Sequence, residues 1–235
     1  MKKLFALAVL AMLTLAAMAQ QAVGTLSVLP RIGVSVTNLP GDDIMIAAGQ
    51  YPVTPRNKAG VIAGVDFDYQ LMPNISLMLG AHYVQQGCRY DNSVEKKDQS
   101  GHVVGGSGFS DWSTQLHYLQ VPLIVNGYIA QGFALKTGVQ LGFPLSGKMK
   151  YTDVEYVKND EGIVTSEKHT QETVDLKNTL TKVNVSIPVG LSYEFANVVL
   201  DARYNICLTR YQNIKGFDSL KNKVFTFSAA YRFAL

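Results

Sequence analysis

The feature that most constrains this chain is an alternation of apolar and polar residues, which recurs from Arg31 to Leu235. Successive side chains of a β-strand point to opposite faces, so the alternation predicts strands with one apolar and one polar face. Residues 225–235 show it most clearly, because aromatic or aliphatic side chains occupy every second position there. Helical periodicity is absent after the first nineteen residues. We therefore expect an all-β fold.

The alternation divides into eight strands, at residues 26–37, 61–71, 75–86, 114–129, 133–143, 183–195, 198–209 and 222–234. Single-chain bacterial barrels have an even number of strands. Strand length agrees with a membrane span. The 11 residues from Ile75 to Gln85, tilted by about 40°, rise about 28 Å, against an apolar band of about 25 Å in such barrels.

The connections between the strands alternate in length. Tight turns are expected at residues 72–74, 130–132 and 196–197, and long connections at 38–60, 87–113, 144–182 and 210–221. This sorting predicts an eight-stranded antiparallel up-and-down transmembrane β-barrel with short periplasmic turns and long extracellular loops. In the longest connection, 144–182, two strands are expected to continue above the membrane, as a solvated loop over the barrel mouth or as a binding element.

The first nineteen residues have a different character from the rest of the chain. Lys2 and Lys3 precede an apolar run that ends in the small-residue triplet Ala17-Met18-Ala19. This is the pattern of a secretory signal peptide, with cleavage between Ala19 and Gln20. We therefore assign residues 1–19 to a signal peptide and 20–235 to the barrel domain.

The apolar face of the strands carries no charged residue, as a surface in contact with hydrocarbon requires, since a Lys or Arg at mid-bilayer costs about 2–4 kcal/mol. Aromatic residues gather near the strand ends, where barrels carry girdles at both membrane interfaces. The predicted interface aromatics are Phe67, Tyr69, Tyr83, Phe133, Phe143, Tyr193, Phe195, Tyr231 and Phe233. Trp112 is expected at the outer interface as well.

The polar face is expected to fill the lumen, because an eight-stranded barrel is only wide enough for side chains. The predicted lumen network is Arg31, Asp66, Asp68, His82, Gln120, Lys136, Gln140, Glu194, Asp201, Arg203 and Arg232. Its four basic and four acidic residues balance, and most lie close to a tight turn or a terminus. We therefore expect an ionic plug in the periplasmic half and a roomier, neutral vestibule above it.

No residue pattern indicates catalysis, a metal site or a cofactor, and none is expected. Asp66 and Asp68 resemble an acid/base pair, but ion pairing inside the lumen, with Arg31 for example, is the favoured interpretation. His117, beside Ser113 and Thr114, is the one candidate for an enzyme at the barrel rim, and chance placement is favoured. The charge balance of 21 Lys and Arg against 18 Asp and Glu gives no footprint for nucleic acid.

Two cysteines and two prolines give local expectations about the strands that contain them. Cys88 and Cys207 belong to the third and seventh strands, on opposite sides of the ring, so both are expected to be free thiols. Pro122 and Pro188 lie inside strands that have two neighbours, where proline removes a ladder hydrogen bond. We expect a bulge or an unpaired position at each proline.

Six segments in order resemble the PorT-like outer-membrane β-barrel domain family, which is similar in architecture to the small OmpA/OmpX-type barrels. They are residues 31–39, 80–87, 116–123, 138–142, 201–205 and 231–233. The resemblance covers nearly the whole chain after residue 19 and departs from the family pattern at Gln120, where an acid is usual. It implies an outer-membrane fold without agreed catalytic residues.

We therefore expect an exported, non-enzymatic barrel in the outer membrane of a Gram-negative bacterium. It would stabilise the envelope or bind something through its extracellular loops. The expected partners are the lipid bilayer, the outer-membrane assembly machinery and an extracellular ligand or protein. A narrow channel or transport accessory is the second hypothesis and a rim enzyme the third. A soluble lipocalin-like barrel, with the two faces exchanged, remains an alternative to the membrane fold.

Overall fold

The computed structural model describes residues 21–38, 44–46, 51–53, 55–91, 95–97, 103–159, 161, 163–210 and 222–235. The predicted signal peptide and its cleavage between Ala19 and Gln20 lie outside the described residues, as do parts of the four long connections. Within the described ranges, no helix is long and apolar enough to cross a membrane.

Eight long strands form a closed ring, in which each strand pairs antiparallel with the next one along the chain and β8 pairs with β1. They are β1 Leu26–Asn38, β2 Pro55–Met72, β3 Ile75–Tyr90, β4 Val103–Ala130, β5 Phe133–Lys158, β6 Asn184–Phe195, β7 Val198–Cys207 and β8 Lys223–Tyr231. A short strand, Phe233–Ala234, continues β8 along β1. The predicted eight-stranded up-and-down barrel is confirmed.

The pairing register fixes the tilt of the strands. A row of paired residues that starts at Leu26 passes once around the ring and returns to β1 at Val36, ten residues further on. A shear of ten over eight strands corresponds to a tilt of about 40°, so each residue rises about 2.5 Å along the barrel axis. At this tilt, an 11-residue strand is long enough to span the apolar band of the membrane.

The tight turns all lie at one end of the barrel, at Pro73-Asn74, Gln131-Gly132 and Ala196-Asn197. Ala196 and Asn197 have φ angles of 47° and 66°, the left-handed conformations of a type I′ hairpin turn. The long connections lie at the other end. We call the turn end periplasmic and the opposite end outer, as in barrels of this architecture.

The two prolines interrupt the ladder as expected. Between β3 and β4, pairing runs from Leu79 with Leu123 to His82 with Gln120, and the two pairs in between, which include Pro122, are missing. Pro188 causes the same two-pair gap between β6 and β5. The register is unchanged across both gaps, so a missing N–H opens the ladder without a bulge.

The two faces of the barrel are as predicted. The apolar set, represented by Ile32, Leu79, Leu135, Leu191 and Leu200, points outward and is exposed. All eleven residues of the predicted lumen network are buried. A soluble barrel would bury its apolar face, so this arrangement excludes the lipocalin-like alternative.

Two strands of the ring, β4 and β5, extend beyond it at the outer end, and with two further strands they form what we call the outer sheet. It consists of residues 103–113 of β4, residues 148–158 of β5, the strand Val164–Asp175 and the short strand Glu95–Lys97. The continuation of strands within 144–182 is confirmed. The start of β4 at Val103, eleven residues before the predicted Thr114, was missed.

The expectation for Trp112 is wrong. Its side chain is buried inside the outer end of the barrel, with its ring 4.3 Å from that of Tyr90. It belongs to an apolar cluster, the apolar cap, made of Cys88, Tyr90, Trp112, Leu116, Tyr118 and Leu180. Leu180 follows the 3-10 turn Lys177–Thr179, which brings it over the barrel mouth.

Cys88 and Cys207 are both free thiols, as the ring order requires. We expect the denatured, unreduced protein to bind two equivalents of a maleimide. In the folded barrel Cys88 should react far more slowly than Cys207, because Cys88 is fully buried in the apolar cap and Cys207 only partly. Mass spectrometry of alkylated protein measures both, and a recovered Cys88–Cys207 disulfide would contradict the strand order.

Candidate functional site

The candidate site is the lumen, where the inward side chains of all eight strands meet. The ring brings the eight charged residues of the predicted network into two layers at different heights. Each layer is described from the periplasmic end upward. We call them the inner layer and the outer layer.

The inner layer is built around Arg232, one residue after β8. Its guanidinium donates to Asp68 at 2.8 Å and to both carboxylate oxygens of Glu194 at 3.0 and 3.1 Å. Ser76 donates to Asp68 at 2.7 Å and Asn126 donates to the same oxygen at 3.1 Å. This layer therefore carries one cation and two carboxylates.

The outer layer contains two linked carboxylates, and its first half is built around Asp66. Asp66 accepts from Arg31 Nε at 2.6 Å and lies 2.7 Å from His82 Nε2. The guanidinium of Arg31 also lies 3.4 Å from Asp201. Arg31, on β1, therefore bridges Asp66 on β2 and Asp201 on β7.

Asp201 on β7 is the second centre of the outer layer. Lys136 donates to it at 2.6 Å, and Arg203 Nε lies 2.7 Å from its other oxygen. Both cations and the carboxylate are almost fully buried. Asp201 thus contacts three cations, which include Arg31.

The two layers have opposite formal charges when His82 is neutral. The inner layer sums to −1, from Arg232 against Asp68 and Glu194, and the outer layer sums to +1, from three cations against two carboxylates. Each excess is balanced by the neighbouring layer, so the network is neutral only as a whole. The net charges of the two neighbouring layers have opposite sign and therefore attract each other.

Neutral amide and hydroxyl side chains line a cavity above the outer layer, which we call the amide chamber. Gln120 and Gln140 lie in its wall, and Gln140 donates to Ser186 at 3.3 Å. Asn222 donates to Gln86 at 2.9 Å. The cavity of about 20 Å³ holds about one water molecule. The predicted neutral vestibule is present but smaller than expected, because the apolar cap fills the space above it.

The predicted interface aromatics all point away from the lumen and are at least partly exposed. The rings of Phe133 and Tyr193 are 4.5 Å apart, and those of Tyr231 and Phe233 are 4.8 Å apart. Tyr204 and Phe225 form a similar pair at 4.5 Å and were missing from the predicted girdle. Their outward parity was visible in the sequence, but their proximity depends on strand pairing.

The hydrogen-bond partner of His117 among the described residues is Tyr83 and not Ser113 or Thr114. Its ring accepts or donates a hydrogen bond of 2.5 Å with the Tyr83 hydroxyl and stacks on the Tyr83 ring. Ser113, four residues away along β4, lies about 13 Å from it. In the part of the chain that the structure describes, no cluster of three or more His, Cys, Asp or Glu side chains suits a metal ion.

Sequence reasoning missed the neutral residues that complete the inner layer. Ser76, Asn126 and Tyr128 supply hydroxyl and amide groups to Asp68 and Arg232. Inward parity marks Ser76 and Asn126, but a neutral side chain gives no charge signal. Their role depends on which carboxylate the ring places beside them.

Gly80 leaves the space that Asp66 occupies. A Cβ added at Gly80 would lie 2.2 Å from Asp66 Oδ1 and 2.8 Å from His82 Nε2. We expect Gly80→Ala to lower the free energy of unfolding by about 1–3 kcal/mol, because the carboxylate must leave its partners. Gly127→Ala is the matched control, since its Cβ meets nothing within 4 Å. Urea titrations of the refolded proteins compare them, and equal losses would contradict this role of Gly80.

Asp201→Asn should be more severe, because it removes the charge that neutralises buried Lys136 and Arg203. We expect a loss of about 3–5 kcal/mol in the free energy of unfolding, measured in the same titrations. Glu172→Gln is the control, as an equally conservative change at an exposed site of the outer sheet. A loss below 1 kcal/mol for Asp201→Asn would show that the outer layer does not depend on this carboxylate.

Several solved structures are similar to this chain. The attachment invasion locus protein Ail of Yersinia pestis shares 15% identity, with 90% of this chain and 100% of that chain covered, at a TM-score of 0.42. OprG of Pseudomonas aeruginosa shares 12% identity, with 92% and 98% covered, at a TM-score of 0.35. No curated protein matches the chain.

The family comparison covers most of the chain. The profile of a family described as an outer membrane protein beta-barrel domain matches residues 18–211, which include seven of the eight strands. This agrees with the closed ring, the charge-free outer face and the buried polar lumen. The chain belongs to the outer membrane protein beta-barrel domain family, and it is an integral protein of the Gram-negative outer membrane.

Proposed function

We propose that this protein is a closed, non-enzymatic barrel that acts through its outer sheet and does not conduct solutes. The observation that carries the proposal is the pair of ionic layers. Their eight charged side chains extend inward from β1, β2, β5, β6, β7 and the chain just after β8. The amide chamber and the apolar cap lie above them and add further buried side chains to the lumen.

The outer sheet supports a role in extracellular binding. Within the described ranges, the strand Val164–Asp175 pairs only with β5, so its other edge presents unpaired backbone N–H and C=O groups. The side chains of residues 165–175 are exposed. Exposed strand edges bind extended peptides by strand addition, so an envelope protein or extracellular protein segment is the partner that this edge suits.

The sealed lumen is tested by single-channel recording in planar bilayers. We expect the unmodified protein to give no steady openings. Arg203→Ala should also give no steady openings, because the inner layer, the amide chamber and the apolar cap remain in place when this buried guanidinium is removed from the outer layer. Arg56→Ala is the matched control, since Arg56 is an exposed residue that pairs with Asp91 at the rim.

Steady openings of the unmodified barrel would contradict the proposal and favour the narrow channel or transport accessory. The lack of an enzyme activity belongs to the proposal too, supported by the engagement of His117 with Tyr83. Membership of the PorT-like family is also part of the proposal, and it is supported by the six segments that resemble that family. The same holds for the signal peptide and for contact with the assembly machinery.

A further inference from the structure

The outer surface of β3, β4 and β5 changes character above its last aromatic residues. Tyr83, Leu119 and Phe143 are cross-strand neighbours and face outward at the top of the charge-free band. Tyr83 accepts a hydrogen bond from Gln85 at 3.2 Å and forms another with His117. An aromatic ring whose hydroxyl meets polar side chains marks the level at which hydrocarbon gives way to headgroups.

Cations replace apolar residues on the same outward face further up. Arg89, Ser113 and Lys150 are direct cross-strand neighbours, and Gln115 pairs with Lys148 one outward position below. Arg89, Lys148 and Lys150 are all exposed. We call Arg89, Lys148, Lys150, Ser113 and Gln115 the basic patch. It is continuous with the lipid-facing surface, since the strands pass through both without a break.

The charge of this region remains positive after nearby acids are counted. Asp175 lies opposite Lys148 in the outer sheet, and Asp91 forms an ion pair with Arg56. Asp111 is exposed and lies two positions before Ser113 on β4, so the three cations of the basic patch against Asp175 and Asp111 leave a net charge of +1. Lys58 lies on the inner side of the wall, where burial lowers its pKa and the nearby Arg89 and Lys150 lower it further.

The height of the basic patch above the hydrocarbon indicates which class of lipid headgroup could reach it. Arg89 is six residues above Tyr83 on β3, which is a rise of about 15 Å at a tilt of 40°. The headgroup layer of an ordinary phospholipid is only about 5–7 Å thick. A headgroup built from several sugars extends further, and long Lys and Arg side chains lean toward the membrane.

We propose that the basic patch binds the phosphorylated sugar headgroup of an outer-leaflet glycolipid, whose acyl chains lie against the apolar face below. Arg89 and the two lysines would bind phosphate groups, since guanidinium and ammonium groups form charge-assisted hydrogen bonds with phosphate oxygens. Ser113 and Gln115, between the cations, offer hydrogen bonds to sugar hydroxyls. This site is separate from the lumen and goes beyond the proposed function.

The test is native mass spectrometry of the refolded full barrel in mixed micelles. The probes are a rough-type lipopolysaccharide with a phosphorylated inner core, the same glycolipid after dephosphorylation, and phosphatidylglycerol. We expect the unmodified barrel to retain the phosphorylated glycolipid at least about tenfold better than either other lipid. The triple variant Arg89→Gln/Lys148→Gln/Lys150→Gln should reduce this preference to less than about twofold.

The matched control is Lys168→Gln/Lys177→Gln/Lys182→Gln, which removes three exposed lysines from the same outer region and should keep the preference. Heat-modifiable gel mobility verifies that each variant is folded, and the unmodified barrel alone tests the proposal if the triple variant is not. Equal retention of the phosphorylated and dephosphorylated glycolipids would overturn it. So would an unchanged preference in the triple variant, equally tight binding of phosphatidylglycerol, or full displacement by millimolar inorganic phosphate.

Discussion

The structure depends on the pairing of charges that hydrocarbon cannot accept and a narrow lumen cannot hydrate. A strand that crosses the membrane must place every second side chain inside, and eight strands leave no room there for a column of water. Inward residues therefore fill the lumen themselves, and the polar ones must find partners among one another. Asp201, in contact with Lys136, Arg203 and Arg31, shows the result.

This constraint produces an axial order inside the barrel. From the periplasmic end, the lumen passes from a layer of net charge −1 to one of +1, then to neutral amides and finally to an apolar cap. The two charged layers are held by ion pairs. The amide level is held by amide and hydroxyl hydrogen bonds, and the apolar cap by contacts that include two aromatic rings. The cavity among the neutral amides holds about one water molecule. Transport would require several of these levels to rearrange together.

A filled lumen moves the surfaces available for function to the outside of the molecule. The outer sheet extends strands of the barrel into solvent and ends in an exposed edge. The basic patch lies at the base of that sheet, where the wall leaves the hydrocarbon, and shares Ser113, Lys148 and Lys150 with it. Both include residues of β4 and β5, so a rigid membrane scaffold positions both. A lipid bound at the patch and a protein bound at the edge would contact neighbouring parts of one continuous surface.

Much of this could be predicted from the sequence because the relevant signals are local. Alternation at period two gave the eight strands, their order, the outer band and the inward position of every charged lumen residue. The two proline gaps follow from the lack of an N–H at those residues. The pairing of Asp66 with Arg31 was anticipated as well, since β1 and β2 are neighbours along the chain.

The sequence by itself determined which side of the wall each residue faces, because that depends only on its position within a strand. Tertiary structure decided which residues meet. Arg31 reaches Ser228, 197 positions away, only because β8 closes against β1. Arg232 joins Asp68 and Glu194, and Trp112 turns into the apolar cap instead of facing the membrane. These contacts depend on the shear of the closed ring and on strands extended into water, neither of which leaves a periodic signal in the sequence.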